Sequence, residues 1–290
     1  MASNPDPRVR RAMRMLEQMI GEEVDYERVA AAVGLSLYRF HHLFAEETGE
    51  TPGAYLRRIR LDAAATRLRW TTEQVGTIAA NMGYASQSSF NKVFEKRYGM
   101  TPSRFRHARD RWPDGSEEKA ATTRVRQRYS PGFRLLGRRY TGLPCHVPEY
   151  WQDFIGRLPE GLGLARQHLF VGLLRDDMRF VPPDQVRYDC CVAVGEAFED
   201  EAVASLWPGF FPLALPECTY ASLDYRGYYL AASSSCGTQH IGDTYFGLLD
   251  TWLAQSRHRL GGDSVGEIHA MPPVPGEEAS CTILLPIVAA

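Results

Sequence analysis

Val29-Ala30-Ala31-Ala32-Val33-Gly34-Leu35 comes back as Ile78-Ala79-Ala80-Asn81-Met82-Gly83-Tyr84, an offset of 49 residues. Downstream, Ser36, Phe40, Phe44, Gly49, Thr51 and Pro52 come back as Ser86, Phe90, Phe94, Gly99, Thr101 and Pro102, an offset of 50. A shared pattern with one inserted residue marks a duplication. In each copy an apolar, alanine-rich helix runs into a glycine, the residue that enters a left-handed turn without a Cβ penalty. A serine follows, placed to accept from the orphan amides of the next helix's first turn. Two phenylalanines four apart turn that helix's apolar side inward. Thr-Pro then opens another helix, threonine as cap and proline where a missing N–H loses nothing. Helix, tight turn, capped helix is a helix-turn-helix, and the chain spells it twice.

Outward from the repeat, a first helix is expected over Pro7–Gly21, with Val9, Ala12, Met13, Leu16 and Ile20 on one stripe and Arg8, Arg10, Arg11 and Arg14 on the other. Between the copies, Pro52 to about Arg69 reads as a long helix with Leu56, Ile59, Ala63 and Leu68 inward. Its length of about 27 Å suits two recognition helices entering successive major grooves, about 34 Å apart. With the phenylalanines buried, Tyr38, Arg39, His41 and His42 are left outward in the first unit. Gln87, Ser88, Asn91, Lys92 and Glu95 are left outward in the second.

The whole chain agrees with this division. Its 290 residues suffice for about two domains, and 44% hydrophobic with 23% charged residues is ordinary globular composition. Net charge is −2, but residues 1–112 hold 18 Lys+Arg against 13 Asp+Glu, so the basic excess lies in front and the acidic excess behind. Only the first part is suited to a polyanion. Met1–Arg8 has no apolar stretch, so no secretory signal is expected. The apolar runs are too short to cross a bilayer. Six cysteines outside any small secreted framework point to reduced thiols and a cytoplasmic setting.

Trp112–Thr123 loses periodicity and gathers turn formers, so it reads as a linker. Beyond it a weaker duplication appears. Arg134–Gly142 and Tyr220–Gly227 each read as a strand ending at a glycine. A helix follows each, Pro148–Leu158 and Ile241–Ala254, and strands Arg187–Val194 and Ser280–Val288 close the units. Neither small sheet can cover both its faces alone, so the two units should join. The expected fold class is therefore α + α/β in two domains. An all-α double helix-turn-helix domain (1-112) and a linker (113-123) precede an α+β domain of duplicated β-α-β-β units (124-290).

The first domain resembles the DNA-binding domain of AraC/XylS-type transcription regulators over roughly Arg8–Arg109. The residues that carry the resemblance are Ala30 to Ser36, Phe40-His41-His42-Leu43-Phe44, Gly49 to Tyr55, Gly83-Tyr84, Ser89-Phe90 and Tyr98 to Arg106. It implies base-reading positions at Tyr38, His41 and His42 in the first unit and Ser88, Ser89 and Lys92 in the second. Arg39 and Gln87 join them as DNA-binding candidates. The second domain resembles the GyrI-like effector-binding domains. Arg187-Tyr188-Asp189-Cys190-Cys191-Val192, Tyr220-Ala221, Tyr225-Arg226-Gly227-Tyr228 and Gly266-Glu267-Ile268-His269 carry that likeness.

What the GyrI-like resemblance implies is a ligand cleft with an acidic floor at Glu267. A carboxylate in an apolar, aromatic-walled cleft is costly unless a cation arrives to meet it. Candidate walls are Tyr150, Trp151, Tyr228, Tyr245 and Trp252, whose ring faces suit a cation. The expectation is a DNA-binding transcription regulator that binds a small hydrophobic or cationic effector, with no cofactor and no membrane. Its partners are double-stranded DNA, the effector and, as a candidate, RNA polymerase. Some stand-alone GyrI-like proteins hydrolyse reactive small molecules, so the alternative is a hydrolase with Glu267 as general base. Cys145-His146, Cys190-Cys191 and Cys236-x-x-x-His240 lack zinc-site spacing, and no metal is expected.

Overall fold

The computed structural model describes residues 5–108, 124–158, 169–179, 181–195, 203, 207–229, 241–253, 255–262 and 265–289. The chain divides into two compact units, Met1–Arg111 and Trp112–Ala290. The expected linker 113-123 lies outside the described residues, as does Cys236.

The first unit is helical: α1 (Pro7–Gln18), α2 (Tyr26–Ala32), α3 (Leu37–Thr48), α4 (Pro52–Trp70), α5 (Val75–Asn81), α6 (Gln87–Tyr98) and α7 (Pro102–His107). The signals read from the repeat are the ones that shape it. Ser36 and Ser86 cap α3 and α6 by accepting from the amides of Arg39 and Ser89, and Thr51 and Thr101 cap α4 and α7. Gly34 and Gly83 turn with φ of +72° and +73°. α1 stops earlier than expected and buries Val9, Ala12 and Leu16, while Met13 and Ile20 pack at the margin.

α4 departs most from its expected part. Besides Leu56, Ile59 and Leu68 it buries Tyr55, Leu61, Asp62, Ala64 and Ala65, and Ala63 is only half-buried. It serves both repeats at once, since α1 and α3 pack on it as well as α5 and α7. Asp62 anchors the second repeat. Its Oδ1 accepts from Arg97 Nη2 at 2.6 Å and from Tyr98 Oη at 2.8 Å.

The second unit holds β1 (Arg126–Ser130), β2 (Phe133–Thr141), α8 (Val147–Gly156), β3 (Phe170–Leu174), β4 (Arg187–Ala193), β5 (Phe211–Leu215), β6 (Cys218–Gly227), α9 (Ile241–Phe246, continued as a π-helical turn over Gly247–Leu253), β7 (His258–Leu260), β8 (Val265–His269) and β9 (Ala279–Ala289). The sheet runs β1-β6-β9-β8-β3-β4-β2-β5, with β7 also on β9, and every pairing is antiparallel. The two expected β-α-β-β units are present. β2-α8-β3-β4 and β6-α9-β8-β9 build mirrored halves that join where β3 meets β8.

Two connections cross between the halves. Pro131-Gly132 carries the chain from β1, on the edge of the second half, to β2 in the first. Pro216-Glu217 carries it from β5, on the edge of the first half, to β6 in the second. A two-residue connector spans at most about 11 Å, so strands at opposite ends of the order must approach and the sheet must curl. The connectors touch: a Cβ on Gly132 (φ +84°) would lie 2.8 Å from the Leu215 carbonyl and 3.1 Å from the Glu217 nitrogen.

Side-chain alternation then sorts the faces. Leu135, Val171, Leu173, Cys191, Leu215, Tyr220 and Leu284 form one core. Tyr188, Cys190, Gly172 and Glu267 belong to the opposite face, so Cys190 and Cys191 do point apart. On the first core's face, the buried Asp189 accepts from Arg139 Nη2 at 2.7 Å and Arg175 Nε at 2.8 Å. Among the described residues no helix is long and apolar enough to cross a membrane.

Candidate functional site

The helical unit presents two matching faces. Tyr38 is 75% exposed at the start of α3, and its ring lies 4.3 Å from that of His42, one turn on. Arg39 and His42 are exposed as well. His41 is half-buried, edge-on to Tyr26 at 5.9 Å and to Phe40 at 5.6 Å. On α6, Gln87, Ser88, Ser89 and Lys92 are all exposed. One of these has a partner within the turn. The Ser89 hydroxyl donates to the Ser86 carbonyl at 2.8 Å. The α3 face is thus aromatic and imidazole-rich, and the α6 face is small, polar and cationic.

The second site lies on the helix-bearing face of the sheet. Residues paired across the strands fall in one row: Arg138, Cys190, Gly172, Glu267, Ile283 and Leu223. Glu267 is 1% exposed near the middle of that row. The expectation of a carboxylate without partners until a cation arrives does not hold. Tyr188 Oη donates to Glu267 Oε2 at 2.6 Å, Tyr229 Oη donates to the same oxygen, and Tyr245 Oη donates to Oε1. His269 Nε2 stands 3.0 Å from Oε2 and 3.2 Å from Tyr229 Oη.

Burial pushes the Tyr188 and Tyr229 phenols well above their usual range, and the Glu267 charge adds to it. They therefore stay neutral and keep donating. Gly172 makes this possible, since a Cβ there would lie 1.9 Å from Tyr188 Oη. Neutral donors do not cancel the charge of a carboxylate that is ionised.

Of the aromatic walls expected from the sequence, the structure brings two to this carboxylate. Tyr245 bonds it directly. Trp151, fully buried, donates from Nε1 to Tyr188 Oη at 3.3 Å and sets its ring 5.4 Å from His269. Tyr150 instead stacks on Tyr140 at 4.9 Å, Tyr228 is 39% exposed, and Trp252 stacks on His258 at 5.8 Å. Sequence reading missed Tyr188, Tyr229 and His269 as neighbours of this carboxylate. The alternation Gly266-Glu267-Ile268-His269 did hold a signal, because positions two apart share a face of a strand. At the end of the row, Arg138 is 3% exposed, 5.8 Å from both the Tyr140 and Phe210 ring centroids and 3.6 Å from Asp153.

Known proteins resemble the two units separately. Residues 29–108 match a helix-turn-helix domain family, and residues 123–288 match the GyrI-like small molecule binding domain. The HTH-type transcriptional activator RhaS of Enterobacter sp. (strain 638) is 37% identical over 107 residues, covering 37% of this chain and 38% of that protein. RhaS of Klebsiella pneumoniae (strain 342) is 35% identical over 109 residues, 38% of this chain and 39% of that protein. The chain thus matches these curated relatives over about two fifths of their length. A solved transcriptional regulator with an AraC-type DNA-binding domain, from Chromobacterium violaceum, matches 37% of this chain and 96% of its own, at 26% identity and a TM-score of 0.35. The GyrI-like match takes in more than half of the chain. The chain belongs to the GyrI-like family, with an AraC-type helix-turn-helix domain in front.

Proposed function

We propose that the chain is a one-component transcription regulator that binds two DNA half-sites through α3 and α6 and a small cationic ligand at Glu267. The observation that carries the DNA reading is the pairing of two capped helices, each behind a left-handed glycine, with polar side chains exposed at matching positions. The RhaS relatives are named as transcriptional activators, which supports the same reading. Tyr38, Arg39, His41 and His42 would read one half-site; Gln87, Ser88, Ser89 and Lys92 would read the other. Ser89 is the weakest base reader of these, because its hydroxyl is engaged by the turn.

Selection from random duplex DNA with the full chain tests this. Two half-sites about one helical turn apart are expected, with binding that falls steeply as salt rises. His42→Ala and Lys92→Ala should each cost on the order of 1–3 kcal/mol, each at a different half-site. Blurring of the same base pairs by both would refute the two-groove reading.

For the ligand half, an aromatic cation such as benzyltrimethylammonium should raise the melting temperature by mass action. Glu267→Gln should remove that shift and leave the response to a neutral analogue. The hydrolase alternative draws on the imidazole of His269 beside Glu267. It predicts that Glu267→Gln abolishes turnover and spares binding.

A further inference from the structure

The reading of Glu267 as the ligand's anchor names a charge and leaves its chemistry open. Two neighbours narrow it. His269 shares the face of β8 with Glu267, and continuing the β8–β9 register by one residue sets Cys281 opposite His269. One ligand atom from each of the three lies within 4.8 Å of the other two, and all three residues are buried. The Cys281 thiol makes no hydrogen bond among the described residues, in a place where its neighbours make several.

We propose that Glu267, His269 and Cys281 form a three-donor site for a borderline-soft divalent cation of the zinc or cobalt kind, and that such an ion is a ligand of this domain. The inference rests on the reading of Glu267 as a cation anchor. Zinc binds carboxylate, imidazole and thiolate at about 2.0–2.3 Å, which places neighbouring donors of a tetrahedron about 3.3–3.8 Å apart. The donors already lie within 4.8 Å of one another, with His269 Nε2 3.0 Å from Glu267 Oε2. A thiolate and an imidazole together disfavour magnesium and calcium, which seek oxygen. Binding exchanges the thiol proton, released to solvent, for a metal–sulfur bond, and the two charges of the ion then meet one carboxylate and one thiolate. Tyr229 Oη, close to both Glu267 and His269, borders the same space as a neutral donor. Tyr188 and Tyr245 would hold the carboxylate from outside, as supporting donors commonly do around metal ligands.

The test uses the full chain after removal of metal with a chelator. Cobalt(II) titration should produce thiolate-to-metal charge-transfer absorption with a stoichiometry of one, reversed by zinc. Cys281→Ser should abolish that band. His269→Gln should weaken cobalt binding at least tenfold, with folding checked by circular dichroism. Cys145→Ser and Cys218→Ser, at half-buried cysteines outside the site, should change neither. No charge-transfer band in the parent chain, or a band that survives Cys281→Ser, overturns the proposal.

Competition separates the inference from the reading beneath it. If benzyltrimethylammonium binds in a Glu267-dependent way and cobalt does not bind, the metal site fails and the anchor stands. If cobalt binds through Cys281 and is not displaced by any organic cation, the metal site stands and the organic-cation reading fails.

Discussion

Both units of this chain are duplications, and they have diverged in opposite places. In the helical unit the two copies agree at the turns, the later caps and the buried phenylalanines: glycine turns at +72° and +73°, serine and threonine caps, and phenylalanine pairs 5.7 Å and 5.4 Å apart. They differ on the outside, where Tyr38 and His42 face Ser88 and Lys92 as counterparts. In the sheet unit the strand order is repeated and the buried row is not. Gly172 and Glu267 are each third in a five-residue strand and pair with each other across the join. By the same relation Leu174 stands for His269 and Tyr188 for Cys281. A surface read twice constrains the interior of both copies alike. A single site shared by two halves needs only one of them to carry the carboxylate, and needs the other to make room.

The largest expected effect tests that asymmetry at symmetry-related positions. Asp189 on β4 corresponds to Thr282 on β9. Asp189→Ala leaves the guanidinium groups of Arg139 and Arg175 without their buried partner and should cost about 3–5 kcal/mol. Thr282→Val removes one hydrogen bond to the exposed Asp224 and should cost about 1 kcal/mol or less. Equal losses in urea unfolding would mean the two halves carry their polar loads alike.

Acid sharpens the same contrast. Burial raises the Asp189 carboxyl, but the charges and hydrogen bonds of Arg139 and Arg175 outweigh it and hold the group well below the ordinary range. A depressed folded value means stability that is complete above the unfolded value of about 3.9 and is lost as pH falls through the folded one. Unfolding of the sheet unit should therefore steepen with acid below about pH 4. Asp189→Asn should be weaker at neutral pH and flatter below it.

Glycines give the next effect. Gly172→Ala puts a Cβ against Tyr188 Oη and should cost about 1–3 kcal/mol while displacing that phenol from Glu267. In the helical unit, Gly34→Ala meets nothing within 4 Å and should cost only the left-handed penalty, about 1–2 kcal/mol. Gly83→Ala should cost more, since Arg60 Nη2 would lie 2.7 Å from the new carbon. Thermal melts that rank Gly34→Ala at or above Gly83→Ala would show that Arg60 yields freely. The smallest effect is at the exposed α6 face: Lys92→Ala should shift stability by no more than about 0.5 kcal/mol.

The helical unit was legible because its determinants are local. A glycine, a serine two or three residues on and two phenylalanines four apart settle a turn, a cap and a face within one short window. α4 was read as a one-sided helix because its service to the second repeat depends on Asp62 meeting Arg97 and Tyr98, more than thirty residues away. In the sheet unit the strand ends were readable from their glycines, and the helices from their aromatic spacing. The company of Glu267 was not. Tyr188 lies 79 residues before it in sequence, and only the β4–β3–β8 register makes them neighbours. Tyr150 and Trp252 look like wall residues by type, and nothing in their own segments says that Tyr140 and His258 claim them instead.

The crossed connectors set the order in which this domain can assemble. β1 has no partner until β6 is made, some ninety residues later, and β2 gains its second neighbour only when β5 arrives. Local hairpins β3–β4 and β8–β9 can close early, but the edges are sealed reciprocally, each half lending a strand to the other. Such pairings raise the mean sequence separation of native contacts, and chains of that kind fold slowly because loop entropy is lost before the pairing rewards it. On the ribosome, the first half must wait with β2 unpaired on one side, and a second nascent copy offers the same missing strand. Until β5 arrives the open edge of β2 is a template for any other strand, and closing the sheet within one chain removes that hazard.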